Sequence, residues 1–102
     1  MLDKTLSFLA GKVMKTKAYS ATLSSIASKG SQTLTFSTSI SGYKPIGVVA
    51  ISKTGAGSGY IFPAAQWAEP SNNQCKVTLY NAHTAALSNI GVTITALFVS
   101  TQ

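Results

Sequence analysis

Gln74-Cys-Lys-Val-Thr-Leu-Tyr80 alternates polar and apolar residues, and a short polar segment later Val92-Thr-Ile-Thr-Ala-Leu-Phe-Val99 repeats the pattern. Successive strand side chains point to opposite sides, so strict alternation predicts two strands, each with one buried face. The second stretch lies almost at the end of the sequence, and a strand that strong is expected inside a sheet rather than fraying. Cys75 shares a face with Val77 and Leu79, which makes it a small buried hydrophobe in this reading.

Working outward, period two extends back to residue 18. Tyr19–Ser28 and Ser31–Ile40 read as strands joined at Lys29-Gly30, possible partners in a hairpin, with Leu34, Phe36 and Ile40 on one face and Thr33, Thr35, Ser37 and Ser39 on the other. Ser41-Gly-Tyr-Lys-Pro45 is turn chemistry. The apolar run Ile46–Ser52 predicts a strand covered on both faces. Thr54-Gly-Ala-Gly-Ser-Gly59 looks like a phosphate loop but no helix opens after it, so a flexible hairpin loop is expected. Tyr60–Ala68 follows as a strand, with Pro63 favouring an edge or a bulge. Before all of these, Leu2, Leu6, Leu9 and Val13 recur at helical spacing, with Asp3 at the start and Lys12, Lys15 and Lys17 at the end. Residues 3–16 are therefore predicted as a short helix too weak to stand alone.

The expected fold is mainly β: a compact antiparallel, jelly-roll-like β-sandwich of six to eight short strands with a short N-terminal helix. Residues 1–17 form a helical attachment arm and 18–102 the β-sandwich domain. Only 10% of the 102 residues are charged, well under half the usual ~25%. Ser and Thr fill the polar positions instead, a surface suited to packing against copies of itself, and a homo-oligomer, most simply a trimer, is expected. The formal net charge of +6 rests on eight lysines and no arginine. Spread lysines without the arginine fork point to solvated positions and sheet-edge protection rather than nucleic-acid binding. No apolar run approaches the ~20 residues of a membrane span, and no secretion leader is expected.

The catalytic inventory is thin. Asp3 and Glu69 are the only carboxylates, and His83 and Cys75 are single representatives of their types. A paired-carboxylate hydrolase and a metal site of three or four protein ligands are both disfavoured, and a Cys75–His83 dyad lacks an orienting group. No catalytic residue, metal or cofactor is expected. The remaining candidates are recognition residues: Tyr43, Tyr60, Trp67, Tyr80 and His83 lie at strand ends or beside loops, bordered by Ser, Asn and Gln. Such platforms suit sugars or protein partners. The competing reading is that Trp67 and some of the tyrosines fill the core or a subunit interface. The loops around Tyr43, residues 54–59, Trp67 and His83 are expected at one end of the domain. The stripe Leu2, Leu6, Leu9 and Val13 is the candidate attachment or oligomer interface.

Four segments carry a family likeness: the "GY-x-P-I" run Gly42-Tyr-Lys-Pro-Ile46 leading into an apolar strand, the Gly/Ser/Asn-rich middle, Val77-Thr-Leu-Tyr-Asn81, and Val92-Thr-Ile-Thr-Ala-Leu-Phe-Val99. Over roughly residues 18–100 the chain resembles small virion proteins of tailed bacteriophages, namely tail-fibre tip, baseplate-appendage and head-fibre modules of phages infecting Gram-positive bacteria. The resemblance implies a compact β-sandwich, often trimeric, assembled in the host cytoplasm into a virion, contacting other virion proteins and in some cases host cell-wall glycan. It carries no catalytic residues, and this chain lacks the longer shaft of full tail fibres. A free-standing lectin-like carbohydrate-binding module is the alternative.

Overall fold

The computed structural model describes residues 14–101, which form six strands: β1 (Met14–Ile26), β2 (Ser31–Ser37), β3 (Tyr43–Thr54), β4 (Ile61–Glu69), β5 (Gln74–Asn81) and β6 (Leu87–Ser100). They make two three-stranded antiparallel sheets, sheet A in the order β1-β6-β3 and sheet B in the order β2-β5-β4. The two stretches with the strongest alternation are the two central strands. Their inward residues, Cys75, Val77 and Leu79 on β5 and Ile90, Val92, Ile94, Ala96 and Phe98 on β6, are all buried in one core. Each such aliphatic or aromatic side chain contributes about 1.5–3 kcal/mol on leaving water. Central strands gain this on the inward face while both backbone edges are paired, so neither position tolerates slippage.

Only one connection, β4 to β5, is a hairpin. It runs through a 3-10 turn at Pro70–Asn72 and Asn73 in the left-handed region at φ 52°. Every other connection crosses between the sheets, which corrects two expectations. β1 and β2 meet at Lys29-Gly30 without pairing, and residues 55–60 join strands of different sheets. That glycine-rich loop is packed closely against the start of β6. Gly55 (φ +113°) and Gly57 (φ +86°) need left-handed backbone, and an added Cβ would meet the Asn89 carbonyl at 2.9 Å and Leu87 at 2.7 Å respectively. A short 3-10 turn at Ser58–Tyr60 follows in place of the α-helix that an anion site would need.

The first strand also starts earlier than expected. Met14–Thr16, assigned above to the end of a helix, belong to β1 and pair with Val99, Phe98 and Leu97. Residues 14–17 are therefore part of the β body rather than of an arm. The rest of the predicted helix, including Leu2, Leu6, Leu9 and Val13, lies outside the described residues. β3 is an edge strand with register shifts between Pro45 and Gly47 and between Val48 and Ala50. Those bulges leave Ile46 and Val49 exposed, so the expectation of a strand covered on both faces does not hold. β4 is the edge strand that Pro63 forecast, with a shift between Pro63 and Ala65. Where β3 and β4 face each other across the sheets, side chains bridge them. The Gln66 amide donates to the Val48 carbonyl at 3.1 Å, and the Lys53 ammonium donates to the Ile61 carbonyl.

Candidate functional site

The cross-strand register of sheet B lines up its outward side chains in four rows: Phe62–Tyr80–Ser31, Ala65–Thr78–Thr33, Trp67–Lys76–Thr35 and Glu69–Gln74–Ser37. Aromatic residues therefore stand at two stations on one solvent-facing surface, with hydroxyl side chains between them. Phe62 and Trp67 are five residues apart, and a regular strand would send them to opposite faces. The bulge between Pro63 and Ala65 absorbs one residue and brings both outward. Phe62 and Trp67 are 51% and 39% exposed, far more than a core role would allow. Thr33 and Thr78 join their hydroxyls across the middle at 2.8 Å.

Trp67 is held in place. Its indole N–H donates to Glu69 Oε2 at 3.2 Å, the Asn72 amide donates to Glu69 Oε1 at 3.1 Å, and Lys76 Nζ lies 3.2 Å from Glu69 Oε2. Glu69 is the only carboxylate among the described residues. The hydrogen bond from Asn72, then those from Trp67 and Lys76, hold its carboxyl below the ordinary value of 4.5. The result is an aromatic plate beside a charge-balanced pair, with Asn72 and Gln74 at the rim.

The second station continues around the end of the sheet. Tyr60 meets His83 edge to face, with ring centroids 4.2 Å apart, and the Lys53 ammonium sits 5.4 Å from the Phe62 ring centre. His83 is fixed by Asn81. The Asn81 carbonyl oxygen accepts from the His83 backbone N–H at 2.8 Å, and the imidazole Nδ1 accepts from the Ala85 N–H at 2.9 Å. Asn81 itself is fully buried, and its amide is shared among the carbonyls of Ile26, Ala27 and Ala85 at 3.0–3.3 Å. It ties the β1–β2 turn to the β5–β6 loop. Nothing in its alternation distinguished it from any other strand residue.

Of the five predicted recognition residues, four lie on or around this surface: Trp67 and Tyr80 on the sheet, Tyr60 and His83 at its end. Tyr43 does not. It sits in sheet A at the start of β3 beside the last residue of β6, at the end that holds the Glu69–Asn73 turn and opposite to Tyr60 and His83, with the Lys15 ammonium 4.8 Å from its ring centre. The loops around Tyr43, residues 54–59, Trp67 and His83 therefore do not share one end. Phe62, which the sequence reading left in an ordinary strand, belongs to the surface. Its signal was the odd spacing to Trp67 combined with Pro63, a residue that marks bulges and edges. Cys75 and His83 are also kept apart. The thiol is buried beside the Thr38 hydroxyl (3.8 Å) and pushed up by burial, whereas His83 lies beyond the far end of β5.

The outward face of sheet A is different. Ser20, Thr22, Thr54 and Thr93 surround a shallow depression of about 300 Å³ over Gly91, and farther along Met14, Ile46 and Val49 are exposed near the half-buried Leu97 and Val99. Among the described residues it carries no aromatic side chain. Comparison of the chain with protein-family models, with curated proteins and with solved structures found no match.

Proposed function

We propose that this chain is a non-enzymatic surface-attachment module, a tail- or head-fibre or decoration domain of a tailed-phage virion, and that the outward face of sheet B is its contact with the host surface. The observation that carries the adhesive reading is the strip of outward-facing aromatics, the exposed Phe62 and Trp67 and the half-buried Tyr80, with Trp67 anchored by Glu69. Exposed aromatic rings bordered by amides and hydroxyls combine stacking area with adjustable hydrogen bonding. The virion context rests on the sequence likeness over residues 18–100 and on the sparse surface charge.

Strand order supports a jelly-roll-like sandwich. β1 pairs with β6 and β2 with β5, as when one long hairpin is rolled into two facing sheets, here with six strands in place of the usual eight. Self-association into a trimer is supported by the exposed Met14, Ile46 and Val49, an unpartnered apolar group on a domain with little charge. Several linked copies would turn a weak contact per subunit into firm attachment.

Labelled protein applied to intact Gram-positive cells tests the reading. The wild-type chain should bind, and Trp67→Ala should reduce retention roughly tenfold without unfolding. Equal retention of a folded Trp67→Ala variant removes the adhesive role from this face. Binding without any association with particles in infected cultures would move the chain to the lectin-like alternative.

A further inference from the structure

Resting on that adhesive reading, we propose that the outward face of sheet B binds a linear, net-uncharged glycan laid along β4 and β5, rather than a single sugar or a charged polymer. The first argument is spacing. Along β5, Tyr80 and Lys76 mark the two aromatic rows and are four residues apart, so Phe62–Tyr80 and Trp67 are separated by ~13 Å. One pyranose ring cannot reach both stations. A chain of sugars running parallel to the strands can stack one unit on Trp67, another on Phe62, and pass between them over Ala65, Thr78 and Thr33.

The second argument is chemical. The middle row offers the Thr33 and Thr78 hydroxyls, already joined to each other at 2.8 Å and able to donate and accept further along the ligand. Small Ala65 on the same row leaves the way clear. An apolar peptide side chain laid there would strip water from these hydroxyls without replacing the hydrogen bonds, whereas a polyol returns them.

The third argument is electrostatic. Glu69 and Lys76 neutralise each other at 3.2 Å beside Trp67, so that station presents polar atoms without net charge. At the other station Lys53 supplies a cation, its ammonium 5.4 Å from the Phe62 ring centre and donating to the Ile61 carbonyl. Lys15, Lys17 and Lys44 lie in the first residues of β1 and β3 in sheet A, and Lys29 is at a turn with its ammonium on the Ala82 carbonyl. A polyanion would meet one ammonium without a carboxylate partner along this strip, too little for charge to dominate binding there.

Trp67 is the only tryptophan, so its fluorescence reports occupancy directly. The full chain is titrated with chito-oligosaccharides and cello-oligosaccharides of one to six units, in low and high salt. Emission should respond, and affinity should rise roughly tenfold from one unit to the length that reaches both stations, then level off. Salt should change it little. Phe62→Ala should keep the Trp67 response while flattening the length dependence, and Thr78→Val should weaken the longer ligands. A response equal at all lengths, or none to either series, overturns the proposal, as does binding that collapses in salt. If Trp67→Ala lowers cell retention while neither series binds, the adhesive role stands and the glycan assignment falls. If the oligosaccharides bind and cell retention ignores Trp67→Ala, the reverse holds.

Discussion

The outward faces of the two sheets are made by the same device and used differently. Each owes its character to bulges in an edge strand: two in β3 leave Ile46 and Val49 exposed on sheet A, and one in β4 brings Phe62 and Trp67 to the same side of sheet B. Sheet A then presents aliphatic side chains and hydroxyls. Sheet B presents aromatic rings, a neutralised charge pair and amides. Aliphatic surface gains chiefly by being covered, which suits a second copy, while aromatic plates with polar rims gain by stacking on a hydrated ligand. One extra residue in a strand is enough to decide which surface results.

Breaking what both faces share should have the largest effect. Asn81→Leu removes the amide that bridges three backbone carbonyls and the oxygen that receives the His83 N–H. Leaving several buried groups unpaired should destabilise the fold by about 2–5 kcal/mol. A lowered urea midpoint at unchanged m-value would show it, and both self-association and ligand binding should weaken in proportion to the unfolded fraction. Next, Trp67→Ala should abolish most binding on sheet B while leaving sedimentation unchanged. The opposite separation is expected from Ile46→Lys with Val49→Lys. Exposed substitutions of this kind usually move stability by no more than ~0.5 kcal/mol. The double variant should shift the chain toward monomer in sedimentation velocity yet keep the single-site affinity of sheet B. If the lysine variants weaken sheet B, or Trp67→Ala disrupts assembly, the division of labour is wrong.

This division was only half legible in the sequence. The inward faces of β5 and β6 could be read residue by residue, because central strands buried on one side impose strict period two. Cys75 fell into place for the same reason. The bulges could not be read that way. At Ile46–Ile51 the added residues turned an interrupted alternation into what looked like a continuous apolar run. At Phe62–Trp67 the odd spacing separated two residues that share a face. Strand pairing was hidden too. Lys29-Gly30 is good turn chemistry whether the chain doubles back in one sheet or crosses to the other, and the choice is made by the long-range pairing of β1 with β6 and β2 with β5. Tyr43 was grouped with Trp67 because both are aromatic beside turns, and their turns do meet, the Thr38 N–H donating to the Asn73 carbonyl, but the two rings belong to different sheets, and residues 54–59 and His83 lie at the other end of the strands.

The smallest expected effect is the most selective test of sheet B, because it leaves the sequence of the core and of sheet A untouched. Hydrogen bonds from Asn72, Trp67 and Lys76 depress the Glu69 carboxyl below its ordinary 4.5. A group whose folded pKa is lowered adds stability that is fully present above the unfolded value and is lost as pH falls through the folded one. Acidification should therefore leave Trp67 emission unchanged down to about pH 4.5 and alter it only below. There Glu69 takes up a proton and loosens its hold on the indole N–H and on Lys76. Lys76 then stands without its counter-charge beside the ring. Glycan binding should fall over the same range, while sheet A association, whose patch holds no carboxylate among the described residues, should not follow that transition. Glu69→Gln should remove the transition from the emission curve at every pH where the fold persists. An emission midpoint at or above 4.5, or a transition that survives Glu69→Gln, would mean that the carboxylate does not orient Trp67. The aromatic strip would then owe its geometry to the β4 bulge alone.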